Sequence, residues 1–325
     1  MIILAVPIVT IACAEVLVRS LGHSPWRFQT VDQYEPTMSE YDAVLGWVAK
    51  PGTYRVPPYS PAGSEIQYTF LDDGSRATSD DRQTGSYDVV LLGGSYTQGR
   101  AVSDRETYGW KLQEALQEMN VGNFGVGAYG TYQSYLMLKS LCQRGIEPQV
   151  VIYGFIDTHE HRNIARYTWL RMISLYSKRG HIAMPYCSFN TQGQIEEHPP
   201  VAYPAIPLRE QLALVDFLTK TYYRLNKRER ERFDNRVKIT EAILLEMNRL
   251  ARTNGSLLCV AILEAGDAAQ RHYARILRNE GILVVDVRTD SGPAMRVQGE
   301  GHPSSMAHSL WADKIAAILR SEITP

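Results

Sequence analysis

The residue best placed to do chemistry is Ser95. It follows Gly93-Gly94 at the end of the apolar run Asp88-Val-Val-Leu-Leu92 and precedes Tyr-Thr-Gln-Gly99. An apolar run of this length closed by glycine reads as a buried strand entering a tight turn. The glycines let the backbone turn sharply and let a substrate come close to it. Open α/β sheets place their ligand crevice at the C-terminal ends of the strands. A serine there is a candidate nucleophile, provided a base can reach it. The second candidate is His302, in Gly299-Glu-Gly-His-Pro-Ser-Ser-Met-Ala-His308, in a loop beside Pro303 at the start of a last helical segment. A histidine suits the base because its unperturbed pKa of about 6.5 lets it take and return a proton near neutral pH. His159 and His161, with Glu160 between them, stand on a loop at a spacing too weak to indicate a metal site, and neither metal nor cofactor is expected. His308 is expected to pack or cap, and Asn123 to hold a turn.

These residues need a frame to position them. From Asp88 onward the chain alternates apolar runs with helical periodicity. Strands are expected over Val89–Leu92, Val121–Phe124, Val150–Phe155, Leu257–Ile262 and Ile282–Asp286. Helices are expected over Thr107–Met119, Thr131–Arg144, Asn235–Arg252, Ala268–Asn279 and Ser304–Leu319. Alternation of this kind implies a three-layer α/β/α sandwich with a mostly parallel central sheet. Residues 157–234 break the alternation and read as an insertion over the catalytic edge. Its charge run, Lys227-Arg-Glu-Arg-Glu-Arg232, has alternating signs and reads as a solvated helix face.

Residues 22–86 are rich in Pro, Gly, Tyr, Ser and Asp and read as an extended arm. Short strands are expected at Leu45–Tyr54 and Ile66–Leu71, and a turn at Asp72–Ser75. Residues 1–21 open with a nearly all-apolar stretch interrupted by Pro7, Thr10 and Glu15. An uncleaved membrane anchor, a signal peptide and a buried helix all fit it, the anchor best, although the stretch is slightly short of roughly 20 residues. Arg19 and Arg27 argue mildly against an external C-terminal domain under the positive-inside rule. The formal net charge of −1 over 325 residues gives no electrostatic reason to expect a nucleic-acid partner. The four cysteines, Cys13, Cys142, Cys187 and Cys259, show neither paired metal spacing nor a dense disulfide pattern, and leave one disulfide open.

Over about residues 45–319 the chain resembles the SGNH (GDSL-like) hydrolase superfamily, in particular its bacterial membrane-anchored type. The resemblance is carried by Leu45-Gly-Trp-Val-Ala-Lys-Pro51 in the arm, then by Gly93-Gly-Ser-Tyr-Thr-Gln-Gly99, Asn123-Phe-Gly-Val-Gly-Ala-Tyr-Gly-Thr-Tyr-Gln133, Pro148-Gln-Val-Val-Ile-Tyr-Gly-Phe155 and Gly301-His-Pro-Ser-Ser-Met-Ala-His308. It implies that Ser95 is the nucleophile and His302 its general base. It also implies an oxyanion hole built from the Ser95 N–H, the N–H of Gly127 or Ala128, and a side-chain donor after the third block. Three departures stand out. Gly94 replaces the aspartate of Gly-Asp-Ser. Glu300 is the acid at hand where the superfamily has an aspartate, with Asp286 and Asp290 as alternatives. No asparagine falls in register after Phe155, which leaves His159 either as the better donor or as a structural residue of the loop, and Asp157 as an unfavourable negative charge unless it is protonated or turned away.

The resemblance implies a serine esterase or deacetylase acting on the O-acyl ester of a carbohydrate or another small molecule, in a domain held on the periplasmic side by its N-terminal helix. An O-acyltransferase using the same acyl-serine, and a binding module that kept the fold without the chemistry, are the alternatives.

Overall fold

The computed structural model describes residues 2–26, 38–81, 84–174, 182–204, 206–290 and 292–323. Arg27, whose charge entered the orientation argument, lies outside them. Helix α1 (Ile2–Ser20) comes first. Two antiparallel pairs follow in the arm: β1 (Ser39–Asp42) with β2 (Gly46–Ala49), and β3 (Gly52–Val56) with β4 (Ile66–Phe70). The alternating part then runs β5 (Val89–Gly93), α2 (Ser95–Gln98), α3 (Tyr108–Ala115), β6 (Val121–Asn123), α4 (Thr131–Gln143) and β7 (Val150–Ile156). The insertion holds α5 (His159–Asn163), α6 (Tyr167–Ser174), the hairpin β8 (Ala183–Phe189) with β9 (Ile195–Ala202), and α7 (Ala213–Leu225). Helix α8 (Lys227–Thr253), β10 (Leu257–Glu264), α9 (Asp267–Asn279), β11 (Leu283–Asp286) and α10 (Ser305–Ile323) complete the chain.

The central sheet has the order β11-β10-β7-β5-β6, and every neighbouring pair is parallel. Numbered within the sheet this is 2-1-3-4-5, the flavodoxin-like order. The strands carry near-continuous apolar runs because both faces are covered. Alternate side chains go to opposite layers. Val90, Leu92, Val151, Tyr153 and Phe155 pack under α4, α8 and α9. Val89, Leu91, Val150, Ile152 and Ala261 pack against α3 and α10. The result is a three-layer α/β/α sandwich, as the alternation implies. The order of strands reverses between β5 and β7, which is where such sheets open a crevice at their C-terminal ends. The chain places Ser95 directly after β5 and His159 shortly after β7.

Two boundaries differ from the periodicity. Helix α3 stops at Ala115, where Leu116 leaves helical geometry. The charge run opens α8, so that helix is 27 residues long. Asn226 caps it by accepting the N–H groups of Arg228 and Glu229. Arg232 pairs with Glu229, and Lys227 with Glu231, at the three- and four-residue spacings that support a polar helix. All four cysteines are free thiols.

Helix α1 exposes Val6, Ile8, Val9, Ile11, Val16 and Leu17. Among the described residues no helix is long and apolar enough to cross a membrane. Glu15 is not facing solvent: its carboxylate accepts the N–H groups of Ala213 and Leu214 at 3.0 and 2.8 Å, capping the first turn of α7.

Candidate active site

The turn after β5 is shaped by what surrounds its glycines. Gly93 has φ +152°, and a Cβ there would stand 2.3 Å from Thr97 Oγ1. A Cβ on Gly154, its partner on β7, would meet the same oxygen at 2.3 Å. Thr97 therefore requires glycine on both strands. A Cβ on Gly94 would lie 2.9 Å from Arg162 Nη1, 2.9 Å from the Tyr129 carbonyl and 3.0 Å from His159 Nε2. The aspartate of a Gly-Asp-Ser turn has no room here, which accounts for Gly94. Arg76, fully buried in the arm, closes the far end of α2. It donates to the carbonyls of Gln98 and Gly99 at 2.7 and 2.6 Å, and its Nε meets Asp104 at 2.8 Å.

Ser95, His302 and Glu300 come together. His302 Nε2 is 2.9 Å from Ser95 Oγ, and His302 Nδ1 is 2.7 Å from Glu300 Oε2. Glu300 also accepts the backbone N–H of His302 at 2.8 Å and the Nε of Arg100 at 2.8 Å. Burial pushes the Glu300 carboxyl up, but the hydrogen bonds from His302 and Arg100, with the charge of His302 when its ring is protonated, outweigh it and hold it at about 2. An ionised carboxylate only accepts, so Nδ1 carries the imidazole proton and Nε2 offers its lone pair to the serine hydroxyl. The longer glutamate fits because it sits two residues before the histidine in a tight loop, Gly299 and Gly301 both having positive φ. Backbone bonds from Val297 N–H to the His302 carbonyl and from Ser304 N–H to the Met295 carbonyl fasten that loop.

The N–H groups of Ser95, Gly127 and Ala128 make no hydrogen bond to another described residue. Trp47 constrains the peptide that joins the last two. Its Nε1 donates to the Gly127 carbonyl at 3.1 Å. In a trans peptide the following N–H points the opposite way, so the arm fixes the direction of the Ala128 N–H. Ala128 itself has φ +69°, a left-handed conformation uncommon for a residue with a Cβ and often found at functional sites. Tyr129 donates to the Trp47 carbonyl, and Gln133 Nε2 to the Leu45 carbonyl at 2.7 Å. The Leu-Gly-Trp segment is thus a brace for this loop.

His159 is buried on the far side of Gly94. Its Nδ1 is 2.6 Å from the Tyr153 hydroxyl, and its Nε2 is buried with no hydrogen-bond partner. Burial, and then the charge of Arg162, hold its pKa well below the ordinary histidine value, so the ring is neutral. Asp157 is turned away: its Oδ2 accepts the Gly266 N–H at 3.0 Å. Asp286 pairs with Arg288 at 3.0 Å rather than with His302, and Asp290 is exposed on the rim of a neighbouring cavity. His308 packs between Tyr108 and Trp311 and accepts the N–H of Tyr108, the first residue of α3, at 3.2 Å. Burial lowers its pKa to about 3. Among the described residues no group of three potential ligands could hold a metal ion.

Sequence reasoning missed the residues that brace this assembly. Tyr96 lies edge-to-face on His302, ring centres 5.5 Å apart, and its hydroxyl donates to Glu264 at 2.8 Å. Arg296 donates to both, at 2.8 and 2.6 Å. Beyond them opens a cavity of about 680 Å³ whose wall includes Glu264, Asp286, Arg288, Arg296, Lys314 and Pro303, the residue after His302.

No protein-family model matches the chain, and no curated protein sequence does. Solved structures do. The chain is similar to the structure of TesA, with a TM-score of 0.43 and 11% identity over 73% of this chain and 99% of that one. It is similar to a member of the lipolytic protein G-D-S-L family from Veillonella parvula, with a TM-score of 0.40 and 11% identity over 72% of this chain and 98% of that one. It is also similar to the psychrotrophic esterase EstA from Pseudoalteromonas, with a TM-score of 0.40 and 11% identity over 73% and 100%.

Proposed function

We propose that the protein is an SGNH-type serine ester hydrolase acting on O-acyl esters of polar alcohols. The observation that carries this reading is the hydrogen-bonded line Ser95 Oγ–His302 Nε2–His302 Nδ1–Glu300, at 2.9 and 2.7 Å. In the proposed reaction His302 takes the hydroxyl proton as Ser95 Oγ attacks the acyl carbonyl. The carbonyl oxygen becomes an oxyanion held by the N–H groups of Ser95 and Ala128, with His159 in its Nε2–H tautomer as a side-chain donor. His302 returns the proton to the departing alcohol as the ester C–O bond breaks. Water, deprotonated by His302, then attacks the acyl-serine and releases the acid. Glu300 keeps the imidazole in the required tautomer and balances its charge when it is protonated.

The charged cavity whose wall includes Pro303, the residue after His302, supports a hydroxyl-rich leaving group, such as a carbohydrate, over an alkyl chain. The exposed aliphatic face of α1 supports the reading of an N-terminal membrane anchor. The test is acetate release from acetylated sugars and from a chromogenic acetyl ester. The wild type is expected to release acetate to water, and S95A to release none above background. Acetyl passing to an added sugar instead of water would replace hydrolysis by acyl transfer. Equal rates for wild type and S95A would overturn both enzymatic readings in favour of a binding module.

A further inference from the structure

Among the described residues the guanidinium of Arg162 is a buried charge without a counter-ion. The residue is 7% exposed and sits at the end of short α5, beneath the nucleophile turn. Its one hydrogen bond to a described residue runs from Nη1 to the Tyr129 carbonyl at 2.8 Å, and its Nε is buried without a partner among those residues. No carboxylate among the described residues pairs with it. Its plane lies over Trp169, 4.3 Å from the ring centre. An unpaired buried cation is costly, and buried charges are ordinarily paired or metal-bound. Arg162 is therefore expensive as a structural residue, and its position gives it a use. Nη1 and His159 Nε2 both border the space left by the missing Gly94 side chain, one residue from the Ser95 N–H. His159 donates from Nε2 in only one of its neutral tautomers, whereas a guanidinium is a donor and a cation at every working pH.

We propose that Arg162 supplies, beside the His159 donor, the fixed positive charge that stabilises the acyl oxyanion on Ser95. This rests on the serine-hydrolase reading of the same site. The negative oxygen is taken to be the reaction's own and not a carboxylate of the substrate, because Nη1 borders the Gly94 position, one residue from the Ser95 N–H. Gly94 belongs to the same device, since a side chain there would fill the space between the guanidinium and the turn.

The test compares wild type, R162Q and R162K on an uncharged acetyl ester and on an acetyl ester bearing a carboxylate, with thermal midpoints and fluorophosphonate labelling of Ser95 alongside. Loss of one oxyanion donor costs roughly 10²–10³ in kcat. R162Q is expected to lose about that factor on both esters with KM nearly unchanged, and to melt no lower than the wild type. R162K, which keeps the charge, is expected to fall between them. If R162Q does not fold, R162M, which also removes the charge, is read the same way, and wild-type kcat in it overturns the proposal. A loss confined to the carboxylate ester and to its KM would make Arg162 a reader of substrate charge and overturn it. So would a lower melting point with unchanged kcat per folded molecule. An active wild type matched by R162Q defeats this inference alone. A wild type that cleaves no ester and takes no fluorophosphonate defeats the hydrolase reading with it.

Discussion

The ionised state of Glu300 is set by two neighbours, and it gives the site a testable dependence on pH. Its carboxyl falls from the ordinary 4.5 to about 2 in the folded protein. A depressed carboxylate stabilises the fold above its unfolded pKa, and that contribution is lost as pH falls through the folded value. The wild type should therefore lose stability between about pH 4.5 and 2 more steeply than E300Q, as measured by denaturant titration across that range. E300Q should also lose activity by about 10³–10⁴-fold, as when a triad acid becomes an amide. Trp47 acts through a peptide, not on the substrate. W47F removes the bond that aims the Ala128 N–H, and kcat should fall by roughly tenfold or more with little change in KM, since an oxyanion donor acts in the transition state. Unchanged kcat in W47F would mean that the loop holds its shape without the arm. Ser95, His302 and Glu300 were legible in the sequence because each sits in a short local pattern. Arg100, Tyr96 and Arg162 were not, because their partners lie far along the chain: Glu300 is 200 residues from Arg100, and Glu264 is 168 from Tyr96.

The strand-turn-helix element around Ser95 is held from three sides. Thr97 fills the space at Gly93 and Gly154, Arg76 closes the end of α2, and His159 with Arg162 closes off Gly94. G94A places a methyl group against the Tyr129 carbonyl, which cannot swing away as a flexible side chain does. Overpacking of this kind costs typically 1–3 kcal/mol, and a melting-point measurement should show it. A G94A protein of wild-type stability would mean that the turn can shift to make room. Helix α8 shows why element ends were harder to read than element types. Its first turns carry no apolar stripe, only charges and an asparagine cap, so the periodicity began at the buried Ile239, Ile243, Leu244 and Met247. The strands were easier, since burial on both faces makes them unbroken apolar runs.

At the scale of the molecule, the arm, the insertion and the sheet meet around one edge. The sheet order and the reversal between β5 and β7 put Ser95 and the post-β7 loop at the same crevice, an arrangement the alternation of strands and helices already implied. The insertion joins this edge to the N-terminal helix through Glu15, which caps α7. That contact explains how an acid is accommodated in an apolar helix, which sequence spacing alone left as a charge near an interface. If the exposed face of α1 inserts into lipid, the full chain should co-sediment with liposomes and a chain beginning at residue 22 should not. Equal partitioning of the two would contradict the anchor.

The account stands on Ser95 being an activated nucleophile. The most direct measurement is the intact mass of the folded protein after reaction with a fluorophosphonate, followed by mapping of the modified peptide. The structure predicts one adduct per chain, on Ser95, absent from S95A and strongly reduced in H302A. A folded protein that takes no adduct, or takes it on another residue with Ser95 untouched, would contradict it.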